Sequence, residues 1–420
     1  VTAKVAAQNI ESAEGTGTST TGDQTNPVIG ASSQIVEAGK EINIPLDLSD
    51  TGVGIDKGNI KVTGLPTGLS YNTTTQSITG TLGTVSNNTV TVAVLDKNGN
   101  KADKTITITA VKPKAIFDIK GKTIRNVDNA VKFVEVPEGV TLTVSWKNND
   151  QPSTETVGNS TKTVTVSAEG YTSTEVDVPV TVYPGVTLRK VGGKEVDTYH
   201  EIVGQPLTSR LVSGGGSFKD VTPDYYIEFE GGTKPKGTRV EFEDGAPADT
   251  STTAGVTTKT IKVTYPNVEE SVKKTITFKT YGNEVKYEDG KDSIETTVGT
   301  TVTARNSVKL SNPNLPNPSG TFIGWWKNNK PYTPDNKIGE HTENVNVWYG
   351  GTVQKDRGDN TNNYSDQNIA VNITIKPQAP RIAKNALYGK GTTKPNITVE
   401  NLPTNNQLET GATVTVKLYS

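Results

Sequence analysis

The stretch 234–266 constrains the fold most, because a degraded copy of it occurs upstream in the same chain. Within it, residues 238–242 alternate threonine or apolar side chains with charged ones, which predicts a strand with one buried face. A turn-rich linker follows, and residues 261–265 then alternate in the same way up to Pro266. The stretch is therefore predicted to form a strand, an irregular crossover and a second strand.

The copies indicate a chain of tandem modules. Residues 139–144 repeat the spacing of residues 237–242, and residues 161–166 match residues 258–263. Two shorter matches, which we expect to open strands in the same way, follow Gly299 and Gly411. Self-similarity of this kind is typical of repeat architectures, and convergence of glycine-led strands is the alternative.

Composition favours strands and excludes several function classes. Apolar residues make up 32% of the chain and aromatic residues 6%, so each core must be thin and rich in valine, isoleucine and threonine. The formal net charge is -2 and no long basic run occurs, which argues against nucleic-acid binding. No stretch approaches the ~18 apolar residues of a membrane-spanning helix, so we expect no membrane insertion within this fragment.

The central stretch resembles the Rib-type repeat of Gram-positive surface proteins. The resemblance covers residues 219–281 and lies in the successions Asp-Gly-Ala-Pro at 244–247 and Lys-Val-Thr-Tyr-Pro at 262–266. The family usually has a Tyr-Pro-Asp-Gly turn at this point. The sequence departs from it because Pro266 is followed by Asn267. The absence of cysteine also suits a Gram-positive surface better than an animal extracellular domain, and a cytosolic protein is the alternative.

Residues 27–112 resemble the bacterial cadherin-like, putative-Ig module. The resemblance lies in GLPTGLSY at 64–71, ITGT at 78–81 and VAVLD at 92–96. It implies a β-sandwich in which Ile78 closes the open end of the core.

This segment also collects oxygen ligands in two loops, which predicts a calcium site. Asp47 and Asp50 lie in one loop, and Asp96, Asn98 and Asn100 alternate along another. Calcium takes six to eight oxygens from carboxylates, amides and carbonyls. The alternative is that these residues are present because they favour turns.

Residues 283–352 resemble the B-repeat of the internalins, a small β-grasp-like module. The resemblance lies in Phe-Ile-Gly-Trp at 322–325 and in the closing run Val347-Trp348-Tyr349. Trp325 and Trp326 must face opposite sides of a strand, so one of them is expected to face outward. Together with Trp348, that tryptophan is a candidate ligand-binding residue that would stack on a sugar or peptide. The alternative is packing against the next module.

A polar segment at 353–368 contains the tripeptide Arg357-Gly358-Asp359. Integrins recognise this tripeptide when a loop presents it, and three residues also occur together by chance. We list it as a second candidate ligand-binding site.

The predicted fold class is all-β, with tandem Ig-like or cadherin-like sandwiches and small β-grasp-like modules forming an elongated rod. The predicted segments are a linker at 1–26, a cadherin-like/Ig-like sandwich at 27–112, a degraded Rib-like module at 113–184, a Rib-like module at 185–282, a β-grasp-like module at 283–352, a loop and closing strand at 353–380, and the start of an Ig-like module at 381–420.

No catalytic constellation emerges, and the function is predicted as non-enzymatic. His200 and His341 are the only histidines and fall in different predicted modules, which excludes a local nucleophile–base pair built on histidine. We expect a monomeric adhesin region on the bacterial cell surface, anchored to the wall through a region outside this fragment. Its partner would be a host extracellular-matrix protein or a glycan. The alternatives are a spacer without a ligand and, more remotely, a polysaccharide-acting enzyme.

Overall fold

The computed structural model of the chain describes residues 22–204, 209–211, 218–220, 222–245, 252–350, 366–383 and 398–417. The chain divides into two compact units, residues 1–184 and residues 185–420. Almost all regular structure in the described residues is β-strand, and the one α-helix has four residues. The prediction of an all-β chain of tandem modules is therefore confirmed.

The first unit begins with a β-sandwich. Its strands are β1 Val28–Ile29, β2 Ser33–Glu37, β3 Glu41–Pro45, β4 Leu48–Ser49, β5 Lys61–Thr63, β6 Leu69–Asn72, β7 Ser77–Thr81, β8 Ser86–Leu95 and β9 Lys101–Pro113, with a short 3-10 helix at Lys57–Asn59. One sheet contains β2, β9, β8 and β5 in that order, and the other has the order β3-β7-β6. Alternate residues of the long strand β8 are buried, as a half-buried strand requires, whereas residues 108–111 of β9 are buried on both faces. The core between the sheets includes Ile78, which is fully buried.

The second part of the first unit is a four-stranded sheet of order β10-β15-β13-β12. Its elements are β10 Ile116–Ile119, a 3-10 helix at Ala130–Phe133, β11 Val134–Glu135, β12 Thr143–Trp146, a 3-10 helix at Lys147–Asn149, β13 Gly158–Ser167, β14 Tyr171–Thr172 and β15 Thr174–Tyr183. Trp146 is buried in this core, and its indole N–H donates to the Val127 carbonyl at 2.7 Å.

The two parts of the first unit share a sheet and a core. β14 pairs in parallel with β2, and β11 pairs with the end of β9. Ile35 on β2 and Val111 on β9 belong to the same buried cluster as Trp146. Because the hydrogen-bonded ladder and the apolar cluster both continue across the boundary, these two parts form one packed body.

The second unit opens with a sheet of order β19-β25-β24-β23. The elements up to residue 281 are β16 Val186–Leu188, β17 Lys190–Val191, β18 Lys194–Glu195, β19 Thr198–Ile202, β20 Ser209–Leu211, β21 Phe218–Asp220, a 3-10 helix at Pro223–Tyr226, β22 Ile227–Phe229, β23 Arg239–Phe242, β24 Gly255–Thr264 and β25 Val272–Tyr281. Aromatic rings fill the core of this part: Tyr226 packs edge-on against Tyr199 and Phe278, with ring centroids 4.8 and 5.9 Å away.

A five-stranded sheet of order β27-β32-β31-β29-β30 follows. The remaining elements are β26 Asn283–Val285, β27 Ile294–Thr297, α1 Ala304–Ser307, β28 Val308–Leu310, β29 Phe322–Lys327, β30 Lys330–Pro331, β31 Gly339–Trp348, β32 Asp366–Lys376, β33 Arg381–Ile382, β34 Val399–Glu400 and a 3-10 helix at Asn405–Gln407. Ile202 and Tyr281 from the preceding sheet lie in the core of this one, so the second unit also has a continuous core.

One sheet in each of the four parts of the chain shares a strand order. In each of these sheets, an early strand pairs in parallel with a long later strand, and that later strand pairs antiparallel with the long strand that precedes it. The four parallel pairs are β2 with β9, β10 with β15, β19 with β25 and β27 with β32. The repetition that the sequence indicates is thus a repetition of topology, and it extends to segments whose sequences do not match.

The two sequence copies align at their turns but not along their first strands. Val140 N–H donates to the Pro137 carbonyl at 3.2 Å, and Thr238 N–H donates to the Pro235 carbonyl at 3.1 Å. After these turns the upstream strand begins at Thr143, two residues later than the equivalent strand at 239–242.

The facing pairs show the consequence of this offset. Trp146 faces Val164, whereas Phe242 faces Ile261. Trp146 therefore occupies the position in the upstream sheet that corresponds to Phe242. The spacing of the sequence copies assigns that position to Val144 instead. An offset of two keeps the same face buried, so the alternation of the sequence does not reveal it.

The shorter matches do not open strands, which corrects that prediction. After Gly299 the chain passes into α1, whose first turn is capped by the Thr303 hydroxyl accepting from Asn306 N–H at 3.3 Å. After Gly411 residues 412–417 form no strand. Within the described part of the chain, no helix has both the length and the apolar character that a membrane crossing requires.

Candidate functional site

Three carboxylates of the first unit converge at one end of the sandwich. Asp23 precedes β1, Asp50 lies in the loop after β4, and Asp96 directly follows β8. One carboxylate oxygen from each lies within 4.8 Å of those of the other two. Asp96 is only 2% exposed, so the cluster reaches from the surface into the protein.

Backbone N–H groups hold these carboxylates in place. Asp96 Oδ1 accepts from the N–H groups of Asn98 and Asn100, both at 2.8 Å. Asp50 Oδ2 accepts from Gly54 N–H at 2.7 Å, and Asp23 Oδ2 accepts from Val53 N–H at 2.9 Å. These bonds close the turns, as aspartates in loops commonly do.

The electrostatics of the cluster favour a bound cation. Hydrogen bonds from Thr25, first from its hydroxyl and then from its backbone N–H, and from Val53 N–H lower the pKa of Asp23, which keeps it charged beside Asp96. Asp50 Oδ1 is buried and has no hydrogen-bond partner among the described residues. Like charges at this separation repel one another, and a divalent cation with oxygen ligands would remove the repulsion.

The five predicted ligands behave differently. Asp50 and Asp96 are in the cluster, and Asn98 and Asn100 lie beside it. Asn100 Nδ2 donates to Asp96 Oδ2 and to the Asp23 carbonyl, each at 2.7 Å, so its amide acts as a donor. Asp47 does not join the cluster, and its carbonyl accepts from Gly30 N–H at 3.0 Å.

Asp23 is the member of the cluster that the sequence prediction missed. It lies in the small polar stretch 1–26, whose composition predicts a linker, and a single aspartate there carries no local signal. The structure places its carboxylate over Gly52, where an added Cβ would lie 1.7 Å from Asp23 Oδ2. Only the tertiary contact identifies this residue.

The predicted tryptophans divide between the two faces of β29 and β31. Trp325 is 8% exposed and its indole N–H donates to the Val302 carbonyl at 3.3 Å, so it is a core residue. Phe322, Trp326 and Trp348 lie on the opposite face, which we call the outer aromatic face. Phe322 directly opposes Trp348 across the strands, and these two side chains are 43% and 47% exposed.

Amide side chains lie on the same face of the adjoining strands. Asn346 Nδ2 on β31 donates to Asn368 Oδ1 on β32 at 3.2 Å. Asn346 opposes Gly324, against which the Phe322 ring lies. The predicted tripeptide Arg357-Gly358-Asp359 lies outside the described residues.

A pocket of about 430 Å³ is lined mainly by residues of the other face of the same sheet, and Phe322 also contributes to its lining. Its lining includes Trp325, Tyr332, His341, Glu343, Ile373 and Ile375. Burial raises the pKa of Glu343, and the charge of Lys327 lowers it by less. His341 Nε2 lies 2.7 Å from the Lys337 carbonyl and therefore carries the donated proton.

The histidines do not form a catalytic pair. His200 Nδ1 lies 2.9 Å from the Tyr281 hydroxyl and the two rings stack, while His341 lines the pocket.

Comparison with known proteins identifies the first segment. Residues 10–111 match the family model described as a putative Ig domain. This match covers the sandwich and the stretch that contains Asp23, so all three carboxylates belong to the putative Ig segment. No curated protein matches the chain.

Solved structures give long but distant matches. The extracellular domain of protocadherin GammaB4 matches at 12% identity and a TM-score of 0.17, covering 91% of this chain and 75% of that one. The insect immune protein hemolin matches at 11% identity and a TM-score of 0.19, with coverage of 84% and 100%. The N-terminal eight Ig domains of Down Syndrome Cell Adhesion Molecule match at 11% identity and a TM-score of 0.21, with coverage of 83% and 49%. Such TM-scores do not establish a common arrangement of domains.

Proposed function

We propose that this chain is a load-bearing, non-enzymatic β spacer of a bacterial surface protein, which holds a binding function away from the cell. One observation carries the proposal: in one sheet of each of the four parts of the chain, an early strand is hydrogen-bonded in parallel with a long later strand. A force that pulls the chain before the early strand away from the chain after the later strand acts on the two strands in opposite directions along their length. The bonds between them are then loaded together rather than one after another, which favours slow forced unfolding.

Continuous cores support the same function. Val111 and Ile35 link the two parts of the first unit, and Ile202 and Tyr281 link the two sheets of the second. Because neighbouring parts share buried residues, separating them would expose apolar surface to water, which is unfavourable. A spacer built in this way resists bending within each unit.

The proposal is tested by stretching the full chain from its two ends in a single-molecule force instrument. We expect discrete unfolding events, with each unit releasing its chain length in no more than two steps. Gradual lengthening at low force would contradict the load-bearing role. Purified matrix proteins and glycans presented to the same chain would separate a spacer from an adhesin.

The outer aromatic face favours a second candidate function, which is glycan binding. Phe322 and Trp348 present exposed rings at directly opposed positions, and Asn368 on the adjoining strand places an exposed amide on the same face. Aromatic rings stack on the apolar faces of sugars while amides bond to hydroxyl groups. A glycan array probed with the chain and with Trp348→Ala tests it, and Val191→Ala is the control because Val191 is an exposed apolar residue remote from this face in sequence.

Binding to an array glycan that Trp348→Ala abolishes and Val191→Ala preserves would support this function. Equal binding by both variants, or none by the unaltered chain, would overturn it.

We also propose that the Asp23, Asp50 and Asp96 cluster binds calcium. The buried Asp50 Oδ1 without a partner and the two neighbouring carboxylates supply the hard oxygen ligands that calcium prefers. The carbonyl of Asp23 lies beside them, within reach of the Asn100 amide. Calcium would tie residues before β1 to the loops after β4 and β8 and so strengthen the end of the putative Ig segment.

A further inference from the structure

We infer that the pocket beside β31 binds an alkylammonium group, of the kind that a lysine side chain or a free aliphatic amine presents. The pocket measures about 430 Å³ and lies in the second unit, and of the outer aromatic face only Phe322 is part of its lining. Volumes of this order are typical of small-molecule and side-chain sites.

Glu343 supplies the charge that selects the ligand. Along β31 it has the same strand parity as Val345 and Val347, which belong to the buried core, so its side chain faces inward. Glu343 has no hydrogen-bond or ion-pair partner among the described residues. A half-buried carboxylate in apolar surroundings is costly, and a cation placed against it recovers that cost.

The walls of the pocket suit a cation on an apolar stem. Trp325 and Tyr332 contribute aromatic rings, whose faces attract an ammonium group. Ile373 and Ile375 offer an apolar floor for methylene groups.

The other charged groups around the pocket do not change its preference for a cationic ligand. Lys327 Nζ lies 5.4 Å from the Tyr332 ring centroid and lowers the pKa of Glu343 without pairing with it. Arg305 and Asp335 on the lining are both exposed, so water screens their charges. An anionic ligand would have to approach Glu343 directly, which the carboxylate disfavours.

The test titrates the full chain with Nα-acetyl-lysine N-methylamide and follows the indole N–H resonances of its four tryptophans by NMR. We expect a saturable shift of the Trp325 resonance and none of the Trp146 resonance. The Nε-acetylated ligand, which has the same stem without the charge, should bind at least about tenfold more weakly.

Variants assign the effect to the carboxylate. Glu343→Gln keeps the shape of the side chain and should weaken binding at least about tenfold, whereas Glu340→Gln, on the exposed face of the same strand, should not change it. Tyr332→Leu offers a second test that leaves the charge in place and should also weaken binding. An unchanged Trp325 resonance, or equal affinity of the Glu343→Gln variant or of the acetylated ligand, would overturn the inference.

Butylamine distinguishes the two sources of the ligand. Equal affinity for butylamine and for the lysine amide would support a free amine as ligand. Tighter binding of the lysine amide would support a lysine side chain of a partner protein.

Discussion

The Tyr349 hydroxyl accepts a hydrogen bond from the Asn283 side-chain amide at 2.8 Å. The same hydroxyl donates to Gln367 Oε1 at 2.9 Å, and Gln367 Nε2 returns a bond to the Asn283 carbonyl at 2.9 Å. Tyr349 is fully buried and Asn283 is 3% exposed, so this closed network replaces water inside the protein. The network holds the segment that follows β25 against the end of β31 and the start of β32.

Removing the Tyr349 hydroxyl should destabilise the second unit. Tyr349→Phe leaves the Asn283 amide and Gln367 without their shared partner, at a cost of about 1–3 kcal/mol in the free energy of unfolding. Urea unfolding monitored on the second unit measures this cost.

Tyr71→Phe is the matched control. The Tyr71 hydroxyl is buried without a hydrogen-bond partner among the described residues, and burial raises its pKa. Its removal should leave the stability of the first unit unchanged or raise it. Equal losses in the two variants would mean that the network around Tyr349 contributes nothing specific.

Calcium should stabilise the first unit through the three carboxylates. At a calcium concentration about 100 times Kd, binding adds about 2.7 kcal/mol to the free energy of unfolding, which raises the melting temperature. Calorimetry with calcium and with a chelator measures the difference.

Two variants locate this effect. Asp50→Asn removes one charged ligand, and Gly52→Ala displaces the Asp23 carboxylate because the new Cβ would occupy its position. Both should lose the calcium response, while Asp103→Asn, on an exposed ion pair with Lys101, should keep it. A melting temperature that calcium does not change would contradict the site.

Glu343 should make the second unit less stable as the pH rises. Its pKa is raised above the ordinary value of 4.5 in the folded protein, so the folded state holds a proton more tightly than the unfolded state. Stability is then lost as the pH rises from below the ordinary pKa through the raised one. Glu343→Gln should flatten this dependence and be more stable than the unaltered chain at neutral pH.

Unfolding in urea from pH 4 upward measures the effect, and Glu340→Gln supplies the control. If the Glu343→Gln variant keeps the full pH dependence, another group is responsible.

The sequence predicts the all-β fold because alternation with a period of two survives in nearly every long strand. Ile261 and Val263 were expected on a buried face, and both are fully buried. The register was not predictable, because a shift of two residues preserves the alternation, and Trp146 thus takes the place assigned to Val144.

The candidate sites were predictable only in part. Asp50 and Asp96 stood out by their loop composition, whereas Asp23 acts through a contact between residues distant in sequence. The Glu343 pocket has no sequence motif at all. A single glutamate at an inward position of a strand resembles any other until the sheet that faces it is known.

The central claim is that the parallel strand pairs bear the load, and two pulling geometries on the same module test it most directly. The chain contains no cysteine, so a pair of introduced cysteines provides the only two thiol attachment points. Attachment at Asn26→Cys and Lys112→Cys loads β2 against β9 along their length. Attachment at Lys40→Cys and Lys112→Cys pulls at adjacent ends of the same two strands and separates their bonds one at a time. We predict a clearly higher rupture force for the first pair in the full chain, and an equal or lower force would contradict the account.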